Sequence, residues 1–348
     1  MNAPDLSDTS SSGTGADLAV ELRGVSKVFT QRQRSPRARD VLSNLFRPRI
    51  REVRALDNVD LAIRRGEIVA YAGPNGAGKS TTVKLLSSVL APTSGTVRAL
   101  GLDPLQDRVR YVRRIGVVFG QRTELWWDQP VSASFEWKRV VWDIPQARYG
   151  AMLDFVRDLL GLDEFFDSLA RQLSLGQRMR ADLALMLLHE PEILFLDEPT
   201  IGVDVLAKRR IIDFVKQLNR DRGVTVMLTS HDMDDLERLA GRIVMIDNGQ
   251  IAYDGDFREL RRQSGDRRLV VVETVDDTPP ALEGAECVRS EGPRHTFAFD
   301  AARLPIARLL EHVATQTRVI DVETHRAPID DVIADLYERW QADRVAQT

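Results

Sequence analysis

A glycine-rich stretch early in the chain ends in a lysine and two hydroxyl side chains, a combination suited to holding phosphate. It follows the apolar run 67–72, predicted as a buried strand, and precedes 82–86, predicted to begin a helix. Glycines let backbone N–H groups turn toward phosphate oxygens, and the helix N-terminus adds partial positive charge. Lys79 is predicted to reach the β- and γ-phosphates, and Ser80 to offer a hydroxyl to Mg²⁺. The residues of this P-loop are Gly73, Pro74, Asn75, Gly76, Ala77, Gly78, Lys79, Ser80 and Thr81.

Two consecutive carboxylates follow a second apolar run, at 193–196. Asp197 ends the predicted strand, which would place it near a Mg²⁺ bound at the P-loop. Glu198 lies one residue further on, where a carboxylate can act as general base toward an attacking water. Taken alone, acids at a strand end are as often structural, but the P-loop upstream favours the catalytic interpretation.

The elements that must position these side chains alternate between apolar strands and helices, which predicts an α/β fold with a parallel sheet covered on both faces. The runs 18–29 and 56–63 are predicted as strands of a smaller sheet, and 130–172 as mostly helical. From about residue 261 the pattern changes to strands and helices of a small α+β domain. The apolar anchors predicted for the helical segment are Trp137, Trp142, Met152, Phe155, Val156, Leu159 and Leu160.

A third motif, Leu173-Ser174-Leu175-Gly176-Gln177, indicates which family of P-loop proteins the chain resembles. With the P-loop, the strand ending at Asp197, Gln121 and Ser230-His231-Asp232 in order, the chain resembles the ATP-binding subunit of an ATP-binding cassette (ABC) transporter over residues 18–262. This resemblance implies a RecA-like parallel core, an antiparallel β subdomain and a helical signature subdomain. Leu175 departs from the family's glycine. Ser174 can still cap the following helix, and Leu175 is expected to point away from the nucleotide.

The resemblance also implies roles for single residues. Gln121 corresponds to the residue that senses Mg²⁺ and the attacking water, and His231 to the γ-phosphate contact. Asp204 matches an acidic loop that crosses to the other subunit, and Phe29 the aromatic residue that stacks on adenine. Each has a plainer alternative: a loop glutamine, a structural histidine, a core phenylalanine. The signature residues Ser174, Gly176 and Gln177 are implied to contact ATP.

In this family the signature serine cannot reach the P-loop of its own subunit, so a second copy is implied, closing around two ATP molecules. The segments 118–128, 202–205 and 230–235 resemble ATPase subunits of ABC-2-type exporters, whose partners are separate permease subunits, here two, of one or two kinds. Import is the open alternative. A soluble ABC protein acting on ribosomes or DNA is disfavoured by the single P-loop, and an inactive cassette by Lys79 and Glu198.

Two adjacent tryptophans, Trp126 and Trp127, follow Gln121 in what should be an exposed loop. Large exposed apolar side chains usually mark an interface. The family places a permease helix in this region, so we expect at least one ring to pack on the permease and the other to anchor the helical subdomain. Burial of both rings within the subunit is the alternative.

Composition adds limits to these interpretations. The chain has 348 residues and a net charge of −4, so its overall charge does not indicate nucleic-acid binding. Cys287 is the only cysteine, which excludes a disulfide within the chain and fits a cytosolic protein. No window is apolar enough to span a bilayer. The family resemblance implies a peripheral position on the cytoplasmic face of the membrane. Residues 31–52 form an arginine-rich insertion. It is either a solvated loop or a contact for anionic lipid or a membrane partner. The predicted organisation is a disordered tail 1–16, a nucleotide-binding domain 17–262 containing the insertion 31–52 and the helical subdomain 122–176, and an accessory domain 263–348.

Overall fold

The computed structural model describes residues 17–32, 50–120, 122–230, 232–263, 267–326 and 329–346. The chain divides into two compact units. The first contains the described residues of 1–231 and 244–253, and the second those of 232–243 and 254–348. None of the helices in the described ranges is long and apolar enough to cross a membrane. The domain boundaries expected from the sequence stay predictions.

The first unit contains a three-stranded sheet in the order β2-β1-β4. Both neighbours of β1 are antiparallel to it, and the β1–β2 ladder runs from Leu18 opposite Arg64 to Arg32 opposite Ile50. The ladder therefore includes the first and last residues of the arginine-rich insertion, whose residues 33–49 lie outside the described ranges. The strands are β1 (Leu18–Arg32), β2 (Ile50–Arg64) and β4 (Ser94–Ala99).

A six-stranded sheet in the order β5-β6-β7-β3-β8-β9 forms the centre of the fold. The pairs β5–β6, β6–β7 and β3–β7 are parallel, as the unbroken apolar runs predicted. Both β6 and β7 are buried along their whole length. The strands are β3 (Ile68–Ala72), β5 (Ile115–Phe119), β6 (Ile193–Asp197), β7 (Thr225–Thr229), β8 (Arg242–Asp247) and β9 (Gln250–Asp256).

Helices of the first unit connect these strands. The P-loop leads into the first of them, and a short 3₁₀ turn at Ala170–Gln172 precedes the signature motif. The helices are α1 (Lys79–Leu86), α2 (Arg108–Val112), α3 (Val131–Val141), α4 (Gln146–Leu160), α5 (Leu175–Leu187) and α6 (Val205–Arg222).

The prediction that Trp137 anchors the helical segment is wrong, because its side chain is 41% exposed. The buried face of α3 instead follows the i, i+3, i+4, i+7 spacing from Val131 and includes Lys138. Burial of this lysine is tolerated because its Nζ lies 3.0 Å from Glu124 Oε2 and 4.8 Å from the centre of the Trp142 ring.

The second unit contains an antiparallel sheet in the order β11-β12-β10-β13. Leu309 and Val313 of the helix following β12 share a core with Val270 and Phe297 of the sheet. Sequence patterning missed β11, since its residues are mostly exposed and show no alternation. The elements are α7 (Met233–Leu239), α8 (Phe257–Gln263), β10 (Arg267–Thr274), β11 (Ala285–Glu291), β12 (Arg294–Asp300), α9 (Ile306–Gln316), β13 (Val319–Arg326) and α10 (Ile329–Ala346).

Candidate nucleotide site

The P-loop connects β3 to α1 and has glycine where no side chain would fit. A Cβ on Gly73 would lie 2.3 Å from the carbonyl oxygen of Ile246. Gly78 has φ of +120°, and a Cβ there would lie 2.7 Å from the carbonyl oxygen of Ala55. Both contacts are shorter than van der Waals distance, so the path of the loop depends on these glycines.

Lys79 is buried and its side chain reaches back across the loop. Its Nζ donates hydrogen bonds to the carbonyl oxygens of Gly73 at 2.6 Å and Pro74 at 3.1 Å. Burial lowers the pKa of Lys79 from its ordinary value, while the nearby carboxylates of Glu198 and Asp197 act in the opposite direction. The ammonium group of Lys79 therefore lies within the P-loop, near the carboxylates of Asp197 and Glu198.

The carboxylates are positioned by Thr229, a residue for which the sequence suggested no role. Asp197 ends β6 and lies in register with Thr229, the last residue of β7. The Thr229 hydroxyl donates to Asp197 Oδ1 at 2.7 Å and accepts from the backbone N–H of Glu198 at 3.0 Å. The same Glu198 N–H also lies 3.1 Å from the Thr229 carbonyl oxygen. One side chain therefore fixes both acidic positions.

Glu198 adopts a left-handed backbone conformation, with φ of +57°. For a residue with a side chain this conformation costs on the order of 1–3 kcal/mol, and such strain is concentrated at functional sites. The carboxylate is half-buried. The chain thus leaves the extended conformation of β6 at Glu198, one residue after Asp197.

Gly120, just after β5, packs against this turn. Its N–H donates to the carbonyl oxygen of Asp197 at 2.8 Å, and a Cβ at this position would lie 2.2 Å from the carbonyl oxygen of Glu198. Only glycine allows the two backbone segments to approach so closely. The segment that leads to Gln121 is therefore bound directly to the turn bearing the candidate base.

A cavity of about 380 Å³ joins the P-loop to the carboxylates. Ser80, Asp197 and Glu198 all line it, together with Gly120 and Arg122. The structure thus brings three of the predicted site residues to one place. Arg122 is an additional cationic residue at this cavity, which the sequence had offered only as part of a motif.

The signature residues lie elsewhere, and none of them lines this cavity. Ser174 caps α5 as predicted, in a capping box in which Ser174 Oγ accepts from Gln177 N at 3.2 Å and Gln177 Oε1 accepts from Ser174 N at 2.9 Å. Gly176 is buried, and a Cβ there would lie 3.4 Å from Asp204 Oδ2. The signature and the Asp204 loop therefore form one cluster of their own.

Leu175, the departure from the family motif, packs toward the loop before α6. Its Cδ2 lies 2.8 Å from the position a Cβ would take on Gly202, which has φ of +68°. Asp204, two residues further on, caps α6 by accepting from the N–H groups of Leu206 and Ala207 at 3.0 and 2.9 Å. The leucine thus contacts the same loop that carries the predicted inter-subunit aspartate.

Three other predicted residues stand differently. Gln121 and His231 lie outside the described residues, so their roles stay predictions. Phe29 is half-buried, and Lys27 Nζ lies 5.2 Å from the centre of its ring. The adenine-stacking role of Phe29 also stays a prediction. Of the described residues, no three His, Cys, Asp or Glu side chains are grouped to bind a metal by themselves.

Asp182 of α5 supports the loop that follows Gln121. Its Oδ1 accepts from Thr123 Oγ1 at 2.9 Å and from the backbone N–H of Glu124 at 3.0 Å. Burial raises the pKa of Asp182 to about 7, with these two hydrogen bonds acting against the shift. The loop is therefore anchored to the signature helix by a carboxyl group that titrates near neutrality.

The two loop tryptophans are exposed, as predicted, at 41% for Trp126 and 48% for Trp127. Trp126 packs on Trp137, with ring centres 5.3 Å apart. Exposed Val140 and Val141 lie three and four residues beyond Trp137, on the same face of α3. We call Trp126, Trp137, Val140 and Val141 the tryptophan patch. Trp127 instead lies under Arg178 of α5, whose guanidinium carbon is 4.6 Å from the ring centre.

Comparison with known proteins agrees with this geometry. The ABC transporter family model matches residues 56–201. The daunorubicin resistance ATP-binding protein DrrA3 of Streptomyces coeruleorubidus is 35% identical over 219 residues, covering 63% of this chain and 69% of the relative. ABC transporter A family member 1 of Dictyostelium discoideum is 32% identical over 243 residues; the match covers 69% of this chain, which spans only 27% of that relative's length.

Among solved structures, the dimeric post-hydrolysis state of the ATP-binding cassette MJ0796, bound to ADP and Pi, superposes with a TM-score of 0.57 and 25% identity. The match covers 69% of this chain and 99% of that one. This chain belongs to the ABC transporter ATP-binding proteins, and it is an ATPase with the P-loop ABC fold.

Proposed function

We propose that this chain is the ATP-hydrolysing subunit of an exporter, which works as two copies bound to ABC-2-type permease subunits. One observation carries the proposal. The P-loop and carboxylates share a cavity that the signature residues do not line, so a single copy contains two halves of a site in different places. Two copies arranged head to tail would complete two sites, each with the P-loop of one copy and Ser174 of the other.

The residues present suit ATP with Mg²⁺. Lys79 supplies the charge for the outer phosphates, and the Ser80 hydroxyl and Asp197 carboxylate are oxygen ligands of the kind Mg²⁺ prefers alongside phosphate and water. Bound Mg²⁺ would offset charge on the phosphates. Glu198 would accept the proton of the attacking water, with its orientation maintained by Thr229. Gln121, His231 and Phe29 keep the roles that the resemblance implies.

The pairing is tested with Ser174→Arg, which places a long side chain where the partner's γ-phosphate would lie. We expect each copy to bind ATP while ATP-dependent dimerisation is lost. Ser94→Arg, at an exposed position on β4, is the matched control and should dimerise normally. Analytical ultracentrifugation with and without ATP measures both. Dimerisation of the Ser174 variant at the control's ATP dependence would contradict the shared site.

The tryptophan patch supports docking on a membrane partner. Two packed indole rings and two valines remain in contact with solvent, and tryptophan is enriched among the few residues that dominate the binding energy of protein interfaces. The name of the relative DrrA3 connects that protein to daunorubicin resistance, which favours export for this chain. On this proposal the chain lies peripherally on the cytoplasmic face of the membrane.

The docking experiment is co-purification with co-expressed ABC-2-type permease subunits from the same organism. Trp126→Ala combined with Trp137→Ala should abolish co-purification and leave the ATPase activity of the isolated chain intact. Leu105→Ala with Val109→Ala is the control, because both side chains are exposed and outside the patch. Retention of the tryptophan variant on the permeases at the level of the control would refute docking through this surface.

A further inference from the structure

The second unit contains a cavity whose lining is almost entirely arginine. Its volume is about 590 Å³, and among the described residues the lining contains, besides arginines, Val332 of α10. Three of the arginines belong to α8, two to β10 and one to β13. They are Arg258, Arg261, Arg262, Arg267, Arg268 and Arg326.

The backbone places several of these like charges side by side. Arg268 and Arg326 are direct partners in the antiparallel β10–β13 ladder. Like charges at opposed positions destabilise a sheet. On α8, Arg258 and Arg262 are four residues apart, where a like-charge pair destabilises a helix. Two unfavourable pairs, in different elements, therefore face one cavity.

Carboxylates compensate only part of this charge. Arg261 forms a two-point ion pair with Glu237 of α7, at 2.8 and 2.6 Å. Arg267 lies 4.0 Å from Glu286, at a position open to solvent. In the part of the chain that the structure describes, no carboxylate lies within ion-pair distance of Arg258, Arg262 or Arg326. Counted over the described residues, the lining of the cavity therefore carries a net positive charge.

We propose that this cavity binds a ligand carrying two or more phosphate groups. Arginine presents paired donors that match phosphate oxygens, and several guanidinium groups converge here. The volume lies within the roughly 300–1,000 Å³ of small-molecule sites, more than one inorganic phosphate would fill. Bound phosphate would turn the repulsion within the two arginine pairs into shared attraction. A soluble polyphosphate compound and a multiply phosphorylated lipid headgroup share this chemistry.

The test is calorimetric titration of the full chain with inorganic tripolyphosphate, in saturating Mg²⁺-ADP so that the P-loop is occupied. Combining Arg258→Gln with Arg326→Gln should weaken binding at least about tenfold, since each contact to phosphate is charge-assisted. The control combines Arg303→Gln with Arg308→Gln. Both are exposed arginines of the same unit that do not line the cavity. A parallel arm measures sedimentation with phosphatidylcholine vesicles, with and without phosphatidylinositol bisphosphate.

Tripolyphosphate binding that is lost only in the cavity variant supports a soluble ligand. Vesicle binding that is lost only in that variant, without tripolyphosphate binding, supports a headgroup. Absence of both, or equal losses in the control, overturns the proposal. Thermal unfolding separates ligand binding from a structural role. Without ligand, Arg326→Gln should unfold at the wild-type temperature or higher, because it removes the charge opposite Arg268. Marked destabilisation by this substitution would also overturn the proposal.

Discussion

Thr229→Val tests whether one hydroxyl positions both acidic residues of the ATPase site. The substitution keeps the branched shape of the side chain and removes the donor to Asp197 and the acceptor for the Glu198 N–H. Hydrogen bonds to charged groups contribute about 1.5–3 kcal/mol to stability. The Glu198 N–H keeps its second contact, the Thr229 carbonyl oxygen at 3.1 Å. We therefore expect the free energy of unfolding to fall by about 1.5–3 kcal/mol, without collapse of the turn.

Turnover should fall more than stability alone explains. Glu198 is held in a strained conformation, and loss of one anchor lets the carboxylate leave the orientation it needs. If that reorientation costs about 1.4–2.7 kcal/mol in the transition state, kcat drops roughly 10- to 100-fold. ATP affinity should change less than turnover, because the hydrogen bonds of Lys79 to the P-loop carbonyl oxygens do not involve Thr229. Steady-state ATPase rates and nucleotide titration at matched folded protein measure the two effects.

Thr225→Val is the matched control, at the other end of the same buried strand. Thr225 Oγ1 accepts from the backbone N–H of Gly66 at 3.0 Å, so the substitution also removes one hydrogen bond. It should cost about 0.5–1.5 kcal/mol of stability and leave kcat unchanged. If Thr229→Val retained a kcat within about twofold of this control, equivalent to less than about 0.5 kcal/mol, the positioning role would be refuted.

Two further predictions rest on single contacts. Gly120→Ala should destabilise the fold and lower ATPase turnover, because its Cβ would lie 2.2 Å from the Glu198 carbonyl oxygen. Gly150→Ala is the control, because a Cβ there would meet no neighbouring atom within 4 Å, and it should be neutral or stabilising in chemical denaturation. Equal destabilisation by the two substitutions would count against the contact at Gly120. Asp182→Asn should remove a pH dependence of stability. Because the pKa of Asp182 is raised to about 7, this carboxyl group contributes its full stabilisation below the ordinary aspartate pKa near 4, and the contribution is lost as pH rises toward 7, by on the order of 3 kcal/mol. The asparagine side chain does not titrate and still accepts from Thr123. If the free energies of unfolding of both proteins changed equally from pH 4 to 8, the prediction would be wrong.

The sequence predicts the elements of the site well, because local chemistry determines them. Apolar runs specify β3 and β6, and the serine three residues before a glutamine specifies the cap of α5. Gly73 and Gly78 occur where neighbouring backbone atoms leave no room for a side chain. These features depend on neighbours in the chain, so the residue pattern records them.

Contacts between segments that are distant in the chain are harder to predict from the sequence. Thr229 acts on Asp197 only because β6 and β7 are adjacent and in register, and nothing near Thr229 in the chain indicates this partner. The meeting of Gly120 with Glu198 likewise depends on the order of strands in the sheet. Trp137 misled for a related reason. Its hydrophobic side chain suggested burial, but the buried face of α3 contains Lys138 instead, whose charge is compensated by Glu124 outside the helix.

We propose that two copies close around ATP, with the signature motif of each copy completing the site of the other. The most direct measurement is the ATP-dependent mass of Glu198→Gln, by analytical ultracentrifugation or light scattering. The amide keeps the size of the side chain but cannot accept the water's proton, so the ATP-bound pair should accumulate. We expect a dimer with Mg²⁺-ATP and a monomer without nucleotide, and a monomer in both conditions once Ser174→Arg is added. A Glu198→Gln chain that binds ATP yet stays monomeric, or a double variant that still dimerises, would contradict it.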